Sequence, residues 1–288
     1  MLRGTKKGIL LRVGMIAAAS VFGATAARGA SLTNSISSNN STVSFTYSTS
    51  SSAVPFVTDW VVDGVDQYGG TPAGGEDLYV ALGNGGTTYL NTLPTVGTPF
   101  FSGGLATVTY QGSGYTATVK DMLTGGSPGS GVSTLTETVK INNTGDVGLP
   151  LLFATVVRPN VNATPTGQTL NFGASSSSVT DASGTTFNYG VTPTPDLISE
   201  STNGGTTYFD SSPGIYNGTV GFEYTWGNIA DPTAITIDAG GSETFSFSES
   251  ISGVPAAVPL PSAAKSTLAT LAGLAVIGIV RRMRKANA

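Results

Sequence analysis

The sequence predicts an all-β fold, an antiparallel β-sandwich whose jelly-roll-like or immunoglobulin-like form stays open, and three observations predict it. Segments of four to eight residues alternate apolar and polar positions, as a half-buried strand requires. The connectors between them are rich in Gly, Pro, Ser, Thr and Asn, the residues that close tight turns. No stretch of the chain's body shows the spacing of an amphipathic helix.

Taken in order, the alternating segments are "STVSFTY" (41–47), "ATVTY" (106–110), "YTATVK" (115–120), "TLTETVKI" (134–141), "FEYTW" (222–226), "AITI" (234–237) and "TFSFSESI" (244–251). Ala106, Val108 and Tyr110 share a face, and so do Tyr115, Ala117 and Val119. Between the strands, "YGGTPAGGED" (68–77), "LTGGSPGSG" (123–131) and "INNTGDVG" (141–148) read as loops rather than linkers. "NATPTG" (162–167) is the weakest seam, and no repeat or change of composition splits the body there.

The 288 residues carry a formal charge of −4, but the charges are segregated. Ten of the 13 cations lie in the first 28 and last 24 residues, while every acid lies between Asp59 and Glu249. The body therefore has three cations, Lys120, Lys140 and Arg158, against 17 acids, a net of −14. Such a surface repels nucleic acid and anionic lipid. Cys and His are both absent, which removes disulfides, thiolate nucleophiles, the usual zinc ligand sets and His-based triads.

Both ends read as addresses. Residues 1–26 have the form of a secretory signal peptide: Arg3, Lys6, Lys7 and Arg12, then an apolar run from Val13 to Thr25, then Ala24 and Ala26 in an A-x-A cleavage pattern, with cleavage falling between Ala26 and Ala30. Residues 31–257 form the exported acidic β domain. Residues 258–288 are a tail in which Pro259, Leu260 and Pro261 precede a membrane helix over about 264–280, followed by Arg281, Arg282, Arg284 and Lys285, a latch held in the cytoplasm by the positive-inside rule.

The Pro motif, short apolar helix and Arg cluster of Val258 to Lys285 resemble the PEP-CTERM sorting signal, with Leu260 in the place of the central Glu. "WVVDGVDQYGG" (60–70) and "LTGGSPGSGVSTLTETVKINNTGD" (123–146) are similar to bodies of other precursors of that family. The resemblance implies an exosortase-like processing enzyme as a partner beside signal peptidase. It also implies an inner-membrane precursor and a mature form at the cell surface or outside the cell.

Three constellations are candidates for chemistry. Asp59, Asp63 and Asp66, with Glu76 and Asp77 nearby, gather oxygen ligands in a Gly-rich region, so calcium is the one cofactor left open, although the spacing is not that of the calcium loop. Glu137 shares a row with Leu135, Val139 and Ile141, and Glu249 with Phe245, Phe247 and Ile251. An acid on an apolar face is either a glycosidase carboxylate or a charge at a sheet rim or edge. Trp60 and Trp226, with Tyr68, Tyr79 and Tyr224, are either core or a platform for sugar rings.

The expectation drawn from these features is a non-enzymatic surface or matrix protein with a structural or adhesive role, in contact with extracellular polysaccharide. A surface-held carbohydrate-binding module and a permanently membrane-anchored β domain are the alternatives.

Overall fold

Alternation in the sequence becomes antiparallel pairing in the chain. The computed structural model describes residues 32–47, 55–69, 74–82, 86–163, 167–202, 215–218, 220–227 and 235–253. The signal-peptide and sorting-tail features, including Ala24, Ala26, Pro259 to Pro261 and Arg281 to Lys285, lie outside the described residues. Nineteen strands are present among those described: β1 (Leu32–Ser38), β2 (Ser41–Tyr47), β3 (Val57–Val62), β4 (Val65–Asp66), β5 (Gly75–Leu82), β6 (Thr88–Tyr89), β7 (Phe100–Ser102), β8 (Leu105–Gly112), β9 (Tyr115–Gly125), β10 (Ser133–Asn143), β11 (Leu149–Arg158), β12 (Gln168–Phe172), β13 (Ser176–Thr180), β14 (Thr186–Thr192), β15 (Leu197–Thr202), β16 (Ile215–Gly218), β17 (Val220–Trp226), β18 (Thr236–Ile237) and β19 (Ser242–Ser252). The helical content of these segments is two short 3-10 turns, at Leu90–Thr92 and Val161–Ala163.

The strands form two sheets. The first runs β1-β2-β3-β5-β11-β17-β15, with β4, β6 and β18 attached to its members. The second runs β16-β12-β13-β14-β19-β10-β9-β8-β7. Every pairing is antiparallel, and both sheets draw strands from before and after residue 163.

One face of each sheet turns to a shared apolar interior. Phe153 of β11 meets Phe245 of β19 with ring centroids 4.4 Å apart, Trp226 of β17 lies 5.2 Å from the same ring, and Tyr189 of β14 lies 5.2 Å from Phe222 of β17. These rings come from opposite sheets, so their burial joins the two layers; a fully buried aromatic side chain contributes about 1.5–3 kcal/mol.

Two glycine positions fix the corner where the sheets approach. Asp63 and Gly64, at φ 50° and 82°, close the turn between β3 and β4 in the left-handed pair that a two-residue hairpin needs. At Gly125, the end of β9, a Cβ would stand 1.9 Å from the carbonyl oxygen of Ser38, so only glycine lets β9 pass the β1–β2 turn.

The Asp63 carboxylate ties this corner together. It accepts from Asn40 Nδ2 at 3.0 Å, from the Gly129 amide at 2.6 Å and from the Gly131 amide at 2.8 Å, joining the β3–β4 turn to the β9–β10 loop. The Gly129 amide is the main cause that holds its pKa below the ordinary carboxylate value. Asp63→Ala is expected to lower unfolding stability by about 1 kcal/mol, the solvent-facing setting keeping the loss small, and Asp63→Asn to recover part of it. An unchanged urea midpoint in the Ala variant would show that the corner does not need the clamp.

Candidate functional site

The nine-stranded sheet sorts its side chains by face. In β19 the inward row is Phe245, Phe247, Glu249 and Ile251, and the outward row is Thr244, Ser246, Ser248 and Ser250. In β10 the inward row is Leu135, Glu137, Val139 and Ile141, and in β9 it includes Ala117, Val119, Asp121 and Leu123. Apolar residues and acids point in together, joined by Ser133 and Asn143 at the ends of β10, whereas the two lysines and most of the hydroxyls and amides point out, beside the exposed Met122.

The register aligns the outward side chains into one surface. Lys120 stands opposite Thr138, Lys140 opposite Thr118 and Thr244, Asn188 opposite Ser250 and Ser178, and Asn171 opposite Ser178. Two depressions lie in this face. One, of about 370 Å³, is lined by Asn171, Ser176, Ser178, Asn188, Ser248 and Ser250, with Gly173 and Gly190. The other, of about 330 Å³, is lined by Thr118, Lys120, Thr138, Lys140, Asn142 and Thr244. Gly190 opens the floor of the first: the nearest atom to a Cβ placed there is Ser248 O at 3.8 Å. The face combines donors and acceptors without a carboxylate in its outward rows.

The opposite side of the same strands, together with β5 of the other sheet, encloses an acid cluster. Glu76, Asp121, Glu137 and Glu249 are 0–2 % exposed. Tyr189 Oη donates to Glu76 Oε1 at 2.8 Å, Thr155 Oγ1 donates to the same oxygen at 2.9 Å, and Tyr68 Oη donates to Glu249 Oε2 at 3.2 Å. Six other carboxylate oxygens of these four residues have no donor. The acids face each other, Glu76 with Glu249 and Asp121 with Glu137, and such a pair forms a hydrogen bond only when one member holds a proton.

Burial is the main cause of the electrostatics here. It pushes Glu76 up to about 7 and Asp121 up to about 8. Glu137 and Glu249 are raised well above the ordinary carboxylate range, by burial first and then by the charge of Glu76. Tyr68, Tyr110 and Tyr189 are raised for the same reason. No cation relieves the cluster among the described residues: Lys120 and Lys140 point out of the sheet, and Arg158 pairs with Asp77 at 2.6 Å.

Glu137 and Glu249 are thus brought to adjacent strands, two residues out of register, since Glu249 lies opposite Leu135 and Glu137 opposite Phe247. Both are 0 % exposed, so a saccharide does not reach them, and the glycosidase role is corrected to an interior one. The rim reading is corrected as well, because β10 and β19 are central strands. Trp60 and Trp226, 0 % and 1 % exposed, donate to Ser133 Oγ at 3.1 Å and to Pro193 O at 2.8 Å; rings enclosed in this way offer no face for a sugar. Tyr68 and Tyr224 are buried with them, and Tyr79 hydrogen-bonds to Glu223.

Asp59, Asp63 and Asp66 do not converge. Asp63 is occupied by the loop amides, Asp66 accepts from the Tyr68 amide at 2.9 Å, and Asp59 accepts from Thr58 Oγ1 at 3.2 Å. Among the described residues no group of three or more acids forms a metal-binding cluster. Two members of the interior cluster were not read as such. Asp121 carries a signal, since it shares the inward period of Val119 and Leu123; Glu76, grouped by the sequence with the loop acids of the calcium candidate, gives no sign of its interior place, because β5 is buried on both faces and does not alternate.

No family model matches the chain, and no curated protein matches it. Solved structures do. A provisionally assigned aldose 1-epimerase from Escherichia coli K12 superposes with a TM-score of 0.51 at 10% identity, over 78% of this chain and 100% of that one. A bacterial glucoamylase complexed with acarbose superposes with a TM-score of 0.51 at 8% identity, over 85% of this chain and 36% of that one, so this chain spans about a third of the glucoamylase.

At such identities the likeness is one of fold. What is shared is the two-sheet β architecture, which this chain has in common with an aldose 1-epimerase-like structure and with part of a glucoamylase. That finding overturns the expectation of a structural or adhesive matrix protein and, with it, the expectation that the chain is not an enzyme.

Proposed function

We propose that this chain is an exported carbohydrate-processing enzyme, built as an antiparallel β-sandwich, that converts a saccharide laid on the outer face of its nine-stranded sheet. The observation that carries the reading is the depression of about 370 Å³ lined by Asn171, Ser176, Ser178, Asn188, Ser248 and Ser250. Its amides and hydroxyls are small neutral donors and acceptors, which suit the hydroxyls of a sugar ring. The glycine-opened floor leaves room for the ring to approach the sheet. The likeness to an aldose 1-epimerase and a glucoamylase adds a fold that supports sugar chemistry.

On this reading the interior acids stabilise or tune the domain and do not touch substrate. The export reading of the two ends completes the proposal: a signal peptide in front, and behind it a PEP-CTERM-like tail cut near Pro259 by an exosortase-like enzyme. A mature form recovered from cells whose mass still includes Arg281 to Lys285 would remove that part and leave the enzymatic part standing.

The enzymatic part is tested by anomeric exchange of aldoses followed by NMR and by release of reducing ends from polysaccharides. Turnover above buffer is expected with at least one sugar. Gly190→Trp, which fills the depression from a backbone position that tolerates a side chain, is expected to abolish it while leaving the unfolding midpoint unchanged. Absence of turnover across both assays, together with no shift of β13, β14 or β19 amide signals on sugar addition, overturns the reading.

A further inference from the structure

We propose that the saccharide taken on this face is acidic, and that Lys120 and Lys140 form the subsite for the carboxylate of a uronic acid unit. The inference rests on the reading that this face binds a saccharide and names the class of that saccharide.

Charge placement carries the argument. The body has three cations against 17 acids, and two of the three lie on one face of adjacent strands. In β9, β10 and β19 every acid, Asp121, Glu137, Glu243 and Glu249, falls in the inward period, while both lysines fall in the outward one. Random placement on a body of net −14 would scatter acids over both faces. The outward rows are instead free of carboxylates, and this face is positive on an otherwise negative domain.

Geometry makes the two lysines one site. Lys120 lies opposite Thr138 and Lys140 opposite Thr118, so the two are diagonal neighbours across β9 and β10, about 7–8 Å apart at their bases. Their long stems can bring both ammonium groups onto one carboxylate. Between them lies the depression of about 330 Å³, whose other lining groups, Thr118, Thr138, Asn142 and Thr244, are hydroxyls and an amide. Neither lysine is occupied by an acid, since the salt bridge among the described residues is Arg158–Asp77.

The outward hydroxyls of β19 connect this depression to the first. Thr244 lines one and Ser248 lines the other, four residues and about 13 Å along the same strand. An oligosaccharide lying along β19 would place an acidic unit on the lysines and the unit to be converted over Gly190. The acidic remainder of the body repels such a chain and steers it to this face.

The test is a calorimetric titration of the full chain with oligogalacturonate, with neutral galactose oligomers of equal length and with inorganic phosphate, at about 20 and about 200 mM salt. Oligogalacturonate is expected to bind at least about tenfold tighter than the neutral oligomer at low salt, with the advantage shrinking at high salt. K120Q and K140Q are each expected to reduce the advantage, and the double variant to remove it, with the unfolding midpoint unchanged. Equal binding of acidic and neutral oligomers, or an advantage that survives in the double variant, overturns the acidic subsite and leaves the saccharide face standing. Phosphate binding as tight as oligogalacturonate also overturns it, reducing the pair to a general anion contact. Failure of both oligomers to bind, with no sugar turnover, removes the saccharide reading together with this inference.

Discussion

Raising the pH from about 5 to about 9 is expected to lower the stability of this domain by several kcal/mol, the reverse of the usual behaviour of a carboxylate-rich protein. The interior acids set the sign. Glu76 is raised from 4.5 to about 7 and Asp121 from 3.8 to about 8, and burial lifts Glu137 and Glu249 well above the ordinary carboxylate range as well. Between those limits the native state keeps protons that the unfolded chain releases. Stability is therefore fully present below the unfolded values and is lost as pH climbs from there through the folded ones.

Each proton kept by the native state alone contributes a slope of about 1.4 kcal/mol per pH unit. The two acid pairs need at least a proton each. Trp60 and Trp226, both buried, supply the fluorescence signal for urea unfolding at several pH values. A midpoint that stays level or rises between pH 5 and pH 9 would show that the cluster is neutralised by something other than protons.

Glu137→Gln is expected to stabilise the domain at pH 8 by on the order of 2 kcal/mol and to change it little at pH 5. Both Glu137 oxygens lack a donor, and Asp121, Glu76 and Glu249 surround the group with charge of its own sign. The amide keeps the shape, adds donors that the Asp121 carboxylate can accept from, and removes the need for a shared proton. A gain of equal size at both pH values would point to packing rather than charge. A loss at pH 8 would mean that the carboxyl of Glu137 is itself required, which would reopen the question of what the cluster holds.

The assignment of faces was legible in the residues. Period-two rows placed Glu137 with Leu135 and Val139, and Glu249 with Phe245 and Phe247, and all of these side chains point inward. The aromatic rows containing Trp60 and Trp226 became core, the more ordinary of the two roles their pattern allows. Structural or adhesive function was not legible, because it was inferred from the reading of the ends and from the surface charge, and neither describes what the two-sheet architecture can bind.

Alternation is a local property: the pleat sends successive side chains to opposite faces, so a short segment is enough to determine which residues go inside and that Lys120 and Lys140 stand outside. Which strands meet is not local. The pairing of β14 with β19, the approach of Glu76 from the other sheet to Glu249, and the depression opened by Gly190 depend on contacts between segments far apart in the chain. Alternation and composition were enough for the all-β class, for the faces of the alternating segments and for the segregation of charge; that four acids share one enclosed interior and two lysines share one groove follows from the packing of the sheets, because burial and proximity belong to the packed sheets and not to any segment alone.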